Sequence, residues 1–385
     1  MPEHSRDLAV CIPTYRRPHL LRLLLADLGR QSVSIDRLII VDGDPLSGDV
    51  PATIAAIPCG ARELLYVPSN HANLPYQRYL GWKAASGAAR LLYLDDDLRL
   101  LSRQSVEALI RPLRAQQGRV VGITTEFAAA PYAKGRLTTD QCTTGRCTTA
   151  NPVKADSSHG PSRNCGGSRI AWRALSCLGS SWRIPAGGLS PAGHRCPPAD
   201  RRRPYELVGC LRGGAMAYRM NAITSDCFSD ALFAMGRRGW ALGEDTLLSR
   251  RIGSRGVLLT AFQAGIVHPS DHQPVAYRRD AFGRGYATAY SRRLLNDHFR
   301  GFDPPRWIDR VALLKSYAAN VVIGWASAVC RADANLCCFA CGYTLGALRG
   351  LLQSPTSRRL TPEVDWWADA EAALVQTRSL TCTTA

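Results

Sequence analysis

The run Leu91-Leu92-Tyr93-Leu94-Asp95-Asp96-Asp97 sets three adjacent carboxylates behind four apolar residues. Neighbouring negative charges repel and raise one another's pKa unless water screens them or a cation sits among them. At an extended strand end alternate side chains share a face, so Asp95 and Asp97 are expected to project together and Asp96 elsewhere. Two carboxylates on one side make a hard-oxygen site suited to Mg²⁺ or Mn²⁺, and such an ion could hold a diphosphate and neutralise it as it leaves. A solvated acidic turn is the plainer reading of the same residues. Glu244 and Asp245 raise a second question, since they open a helix after Gly243 in LGEDTLLSRRIGSRG. First-turn carboxylates complement the helix dipole, which explains the position. A carboxylate fixed by first-turn amides is also well placed as a general base. His268 ends the apolar stretch AGIVH; it is either an ordinary polar strand-end residue or, as a neutral imidazole, a metal ligand.

These residues need elements to hold them. LAVCI (8–12) reads as a buried strand ended by Pro13, and PHLLRLLLADLGRQ as a helix with Pro18 in its first turn. RLIIVD (37–42), LLYV (64–67) and RLLYL (90–94) read as strands, and NLPYQRYLGWKAASG (73–87) as a helix closed by Gly87. Strand and helix alternating over short links predict a largely parallel sheet covered by helices. In such sheets ligands lie at the carboxyl ends of the strands, where Asp42 and the Asp95–Asp97 run both fall. Order is expected again at LRGGAMAYRM (211–220), in a helix near 243–252 and in the strands GVLLTAF and AGIVH.

Residues 128–206 have a different texture, rich in Gly, Pro, Ser, Thr and Cys with little periodicity, and read as an irregular insert. Cys142, Cys147, Cys165, Cys177, Cys196, His159 and His194 fall there, but their spacings fit no standard zinc pattern. The chain of 385 residues carries 48 Lys+Arg against 31 Asp+Glu, a net charge of +17 that favours anionic partners. No nucleic-acid motif accompanies that charge, so nucleic acid is not expected as a partner. The N-terminus has no apolar run of secretory length, and the 14 cysteines are expected to be reduced thiols in a cytoplasmic protein. Near the C-terminus, 316–330 and 334–348 each offer fifteen uncharged residues, short of the ~20 that a spanning helix needs. They read as core or interfacial helices, with basic neighbours suited to peripheral contact at the inner face of a membrane.

Taken together, the motifs resemble the family 2 glycosyltransferases of the GT-A fold. VCIPTYRRPHLLRLL, IIVDGD, NLPYQRYLGWKAASGAARLLYLDDD, LRGGAMAYR, GEDTLLSRRIGSRG and GIVHP follow in that family's order, over about residues 8–127 and 207–290. The resemblance implies an α/β fold, a Rossmann-like, mostly parallel sheet flanked by helices, with a C-terminal helical extension. It implies a nucleotide-sugar-binding half at 1–127, the insert at 128–206, an acceptor and catalytic half at 207–300 and a helical region at 301–385. The implied reaction moves a hexosyl or related sugar from a nucleotide-diphosphate sugar to an acceptor hydroxyl by metal-assisted single displacement with inversion.

Residue by residue, the resemblance places Thr14, Arg16 and Asp42 on the nucleoside, with Asp42 hydrogen-bonding the base. Arg78 would meet the base or phosphates and Asp95 the ribose. Asp97 would bind Mn²⁺ or Mg²⁺ as part of an Asp-x-Asp motif, with Asp95 and His268 completing the metal set. Asp245 would take the acceptor's proton, positioned by Glu244, and Gly213 and Gly214 would let the backbone approach the sugar or acceptor. The acceptor is a saccharide, a lipid-linked or a small molecule. The Gln-x-x-Arg-Trp of processive synthases is missing, which favours one transfer per encounter. Two other readings stand beside this one. A sugar nucleotidyltransferase would share the fold class, but CIPTYRRPH has no glycine for a phosphate loop. A catalytically inactive nucleotide-binding relative would keep the fold without turnover.

Overall fold

The computed structural model describes residues 6–57, 60–115, 119–128, 187–189, 195, 202–230, 232–233, 243–269, 280–300, 307–352 and 365–380. Its first half is built from β1 (Arg6–Thr14), α1 (Pro18–Leu28), β2 (Ile35–Asp42), α2 (Asp49–Ala55), β3 (Ala61–Pro68), α3 (Leu74–Ala84) and β4 (Ala88–Leu94). Then come β5 (Arg99–Leu100), α4 (Ser105–Ala115), β6 (Val120–Thr125), β7 (Tyr205–Val208), β8 (Ala215–Arg219), α5 (Glu244–Gly253), β9 (Val257–Ala261) and β10 (Ile266–Val267). The chain closes with α6 (Ala281–Arg300), α7 (Trp307–Arg331), α8 (Ala334–Leu352), α9 (Trp366–Val375) and β11 (Arg378–Leu380).

A nine-stranded sheet runs in the order β11-β3-β2-β1-β4-β8-β6-β9-β7. β3, β2, β1 and β4 are mutually parallel, β8 runs antiparallel between β4 and β6, and β9 is parallel to β6. The central strands β1, β2 and β4 carry apolar runs without alternation because both faces of the sheet are covered there. Leu8, Val10 and Ile12 point into one core with α1, α2 and α4; Ala9 and Cys11 point into the other with α3, α5 and α9. On that second face α3 comes close enough that a Cβ on Gly81 would lie 2.1 Å from Cys11 Sγ. Only glycine permits this approach of helix to sheet.

Several expectations need correction. Pro13 does not end β1, which continues to Thr14 in register with Asp42; proline's fixed φ suits an extended chain, and only its missing N–H limits pairing. AGIVH does not extend the main sheet. β10 pairs antiparallel with β5, with Ile266 opposite Leu100 and Val267 opposite Arg99. The insert is not irregular to its end, since Tyr205 and Glu206 already belong to β7. Its candidate metal-binding Cys and His residues lie outside the described residues. The two C-terminal stretches sit in helices of 25 and 19 residues. Leu313–Arg331 and Ala334–Leu352 are each long and apolar enough to cross a membrane by length and composition. The fifteen-residue count undershot because single basic residues do not stop a helix.

The last strand was not expected. β11 pairs antiparallel with β3, and α9 packs beneath it against α3. His71, in the loop after β3, sits 2.8 Å from the Asp369 carboxylate of α9.

Candidate functional site

Parallel packing of β1, β2 and β4 brings Thr14, Asp42 and the start of the acidic run to one edge of the sheet. Beyond Leu94 the chain curls, with Leu98 N–H donating to the Asp95 carbonyl at 3.3 Å. The strand alternation therefore stops, and the expected pairing of Asp95 with Asp97 is not what forms. Asp95 accepts from Arg78 Nη2 at 3.1 Å. Asp96 and Asp97 share Arg17 instead, at 3.0 Å from Nη2 and 2.9 Å from Nη1 respectively. Asp96 has no exposed surface and also accepts from the Thr14 hydroxyl at 2.7 Å. Burial pushes its carboxyl up to about 7, against the pull of Arg17.

The β5–β10 pairing gives His268 its place. β5 begins two residues after Asp97 and β10 ends one residue before His268, so the ladder draws the two together. His268 Nε2 lies 3.4 Å from Asp97 Oδ1, a buried oxygen with no hydrogen-bond partner. Phe127 packs beside the imidazole at 5.6 Å between ring centroids.

Arg78 is the hinge of the charge network. Its guanidinium is buried between Asp95 and Glu244, donating to Glu244 Oε1 at 3.1 Å through Nη1. It is thus placed to neutralise two acids from beneath the site rather than to lie open to a ligand. Burial pushes Glu244 up to about 7, and the neighbouring Asp245 charge adds to this. Asp245 goes the other way. Burial alone would raise it, but Arg195, 3.0 Å from Oδ2, holds it below the usual carboxylate range. Oδ2 also accepts from the Gly213 N–H at 2.5 Å, and Oδ1 from the Thr246 N–H at 2.7 Å. Asp245 is consequently ionised at neutral pH and oriented by backbone amides. Gly213 thereby spends its amide on Asp245. Gly214 sits at φ +97, where a Cβ would come 2.7 Å from the Phe127 ring, so glycine is required at this turn.

The residues expected to meet the nucleoside divide. Asp42 has no exposed surface; its oxygens accept from the Asp44 N–H and the Tyr66 hydroxyl, both at 2.9 Å. Burial raises its carboxyl, and these two bonds oppose the rise. Asp42 therefore shapes the turn at the end of β2 from below. Arg16 takes the left-handed conformation, φ 56, and pairs with Asp44 at 2.5 Å on the surface. Its neighbour Arg17, not Arg16, reaches the acidic run.

Sequence reasoning missed four contributors. Arg17 was hidden by sharing a dipeptide with Arg16. Gln77 donates to the carbonyls of Thr14 and Val41 at 2.9 and 3.0 Å, tying α3 to the ends of β1 and β2. Phe127 and Arg195 carry no local signal at all.

Among the described residues, no three His, Cys, Asp or Glu side chains converge as a metal-holding group. Of the expected set Asp95, Asp97 and His268, Asp97 and His268 lie together, 3.4 Å apart through Oδ1, while Asp95 is engaged by Arg78 and the other Asp97 oxygen by Arg17. The unpartnered Asp97 Oδ1 beside an imidazole fits a divalent cation that takes its remaining ligands from substrate phosphates, the usual arrangement for Mg²⁺.

No protein-family model matches the chain, and no curated protein does. Among solved structures, it is similar to the mannosyltransferase PcManGT from Pyrobaculum calidifontis, in complex with GDP-Man and Mn²⁺. That match has 12% identity and a TM-score of 0.44, covering 91% of this chain and 88% of that one. It is also similar to glucosyl-3-phosphoglycerate synthase from Mycobacterium tuberculosis, in complex with Mg²⁺ and UDP. Here the identity is 16% and the TM-score 0.40, covering 75% and 80%. S. aureus TarS matches at 13% identity and a TM-score of 0.37, covering 82% of this chain and 43% of that one.

Proposed function

We propose that this protein transfers a sugar from a nucleotide-diphosphate sugar to an acceptor hydroxyl with inversion. The observation that supports the reading is an ionised, amide-held Asp245 joined through Glu244, Arg78 and Asp95 to the edge that carries Asp97 and His268. Asp97 and His268 would hold Mg²⁺ or Mn²⁺, which when bound neutralises charge on the departing diphosphate. Asp245 accepts the acceptor's hydroxyl proton while the acceptor oxygen bonds to the anomeric carbon. The bond to the diphosphate oxygen breaks on the opposite face, and its electron pair leaves with the nucleotide. Glu244, its carboxyl pushed up to about 7 by burial, carries less than a full negative charge beside the base near neutrality. Arg195 must yield its place on Asp245 as the acceptor enters, because one oxygen cannot serve both fully. Hexosyl donors, and saccharide, lipid-linked or small-molecule acceptors, belong to this reading.

The experiment is a panel of UDP-, GDP- and dTDP-sugars with Mn²⁺, read by nucleotide release and by thermal shift. Donor-dependent release that Asp245→Asn abolishes is the expected result. Normal turnover by Asp245→Asn removes the proposed base, and pyrophosphate release from a nucleoside triphosphate replaces the reading with nucleotidyl transfer.

A further inference from the structure

The α7–α8 hairpin is uncharged and largely apolar over 316–330 and 334–348, a pattern normally enclosed by protein or lipid. Yet only 22% and 33% of its two candidate spans are buried within the chain. Val322, Trp325 and Val329 on α7, and Leu345, Leu348 and Leu352 on α8, recur at three and four residues and are exposed, Leu352 by 83%. Three- and four-residue steps keep each set on one face of its helix.

Charge indicates what covers this face. Over 307–352 the hairpin carries Arg310, Lys315, Arg331 and Arg349 against Asp309 and Asp333, a net positive charge. A second copy would meet the same surface through a two-fold axis, setting cation against cation. An anionic bilayer surface matches both the apolar stripe and the basic rim. Packing then decides the orientation. A Cβ on Gly342 would lie 1.9 Å from the Phe282 carbonyl oxygen, and one on Gly346 2.5 Å from that of Tyr286, so α6 lies backbone-to-backbone along α8. α6 carries Arg284, Arg292 and Arg293, and Arg292 donates to the Tyr343 hydroxyl at 2.6 Å. A spanning α8 would drag those arginines into hydrocarbon.

We propose that the α7–α8 hairpin lies flat in the headgroup layer of an anionic bilayer, with α6 on its water side. α6 in turn reaches the site, since a Cβ on Gly243 would meet Ser291 Oγ at 3.2 Å. The bilayer-facing hairpin and the Glu244–Asp245 pair are then separated by one helix.

The test floats the full chain with vesicles of phosphatidylcholine holding about 30 mol% phosphatidylglycerol, and with phosphatidylcholine alone, without any donor. Binding is thus read apart from sugar transfer. Expected are flotation with the anionic vesicles, weakening in high salt, and release by alkaline carbonate. Val322→Asp with Leu348→Asp should weaken binding by roughly tenfold or more at an unchanged melting temperature. As a measurement that leaves the face intact, brominated lipids should quench the Trp325 emission, taken as the difference from Trp325→Phe, more from shallow than from deep bromines. Failure to float, or carbonate-resistant retention with deep quenching, overturns the proposal. Self-association that Val322→Asp abolishes, without vesicle binding, overturns it in favour of a second copy.

Discussion

The acidic edge of the sheet and the C-terminal hairpin handle solvent in opposite ways. At the edge, Asp96, Asp97, Glu244 and Asp245 are removed from water and Asp95 is half-buried, yet each has a guanidinium beside it from Arg17, Arg78 or Arg195. On the hairpin, by contrast, large apolar side chains are exposed. Burying charge demands partners, whereas exposing hydrocarbon demands only that something later cover it. The first region finds its counter-charges within the chain; the second has no cover among the described residues.

Substitutions should separate the two regions by size of effect. Arg78→Leu leaves Glu244 as an uncompensated buried carboxylate beside the half-buried Asp95 and is expected to destabilise by about 3–5 kcal/mol in denaturant unfolding. A cost as small as that of a hairpin change would erase the contrast. Asp245→Asn should keep the fold and lower transfer by about 10²–10⁴-fold, the usual contribution of a general base, measured as turnover with the competent donor. Gly81→Ala presses a methyl onto Cys11 and should cost about 1–3 kcal/mol, eased by Cys11→Ala in a double-mutant cycle.

Acidity sharpens the same point. Asp96 and Glu244 titrate at about 7 in the folded protein against ordinary values of 3.8 and 4.5. Between these limits the folded chain holds protons that the unfolded chain has released, so raising the pH favours unfolding. Their contribution is intact below about pH 4 and gone above about pH 7. Asp245, shifted the other way, keeps its contribution throughout that window and loses it only as the pH falls below about 4. The melting temperature should fall by several degrees from about pH 5 to about pH 8, and Asp96→Asn should flatten the slope. Smallest of all, Val322→Ser on the hairpin should change stability by no more than about 0.5 kcal/mol.

What the sequence revealed follows from how local each signal is. β1, β2 and β4 were legible because two-sided burial writes an unbroken apolar run. α3 was legible from the stretch 73–87 closed by Gly87, a residue that takes φ +83 just past the helix end at Ala84. β5 and β10 were not, being two residues each with meaning only as a pair. That pair sets the position of His268, so the site's residues could be named while their grouping could not. The strand-alternation argument for Asp95 and Asp97 failed because it assumed an extended chain where a turn begins. Arg195 reaches Asp245 across fifty residues of sequence, and no periodic pattern records such a contact.

The pairing of β11 with β3 joins residues more than three hundred positions apart. During synthesis the β3 edge therefore emerges long before β11 and stays unzipped until residues 378–380 leave the ribosome. Over that interval its open amides and carbonyls can recruit strands from neighbouring nascent chains. Premature termination before Arg378 would prolong that hazard indefinitely.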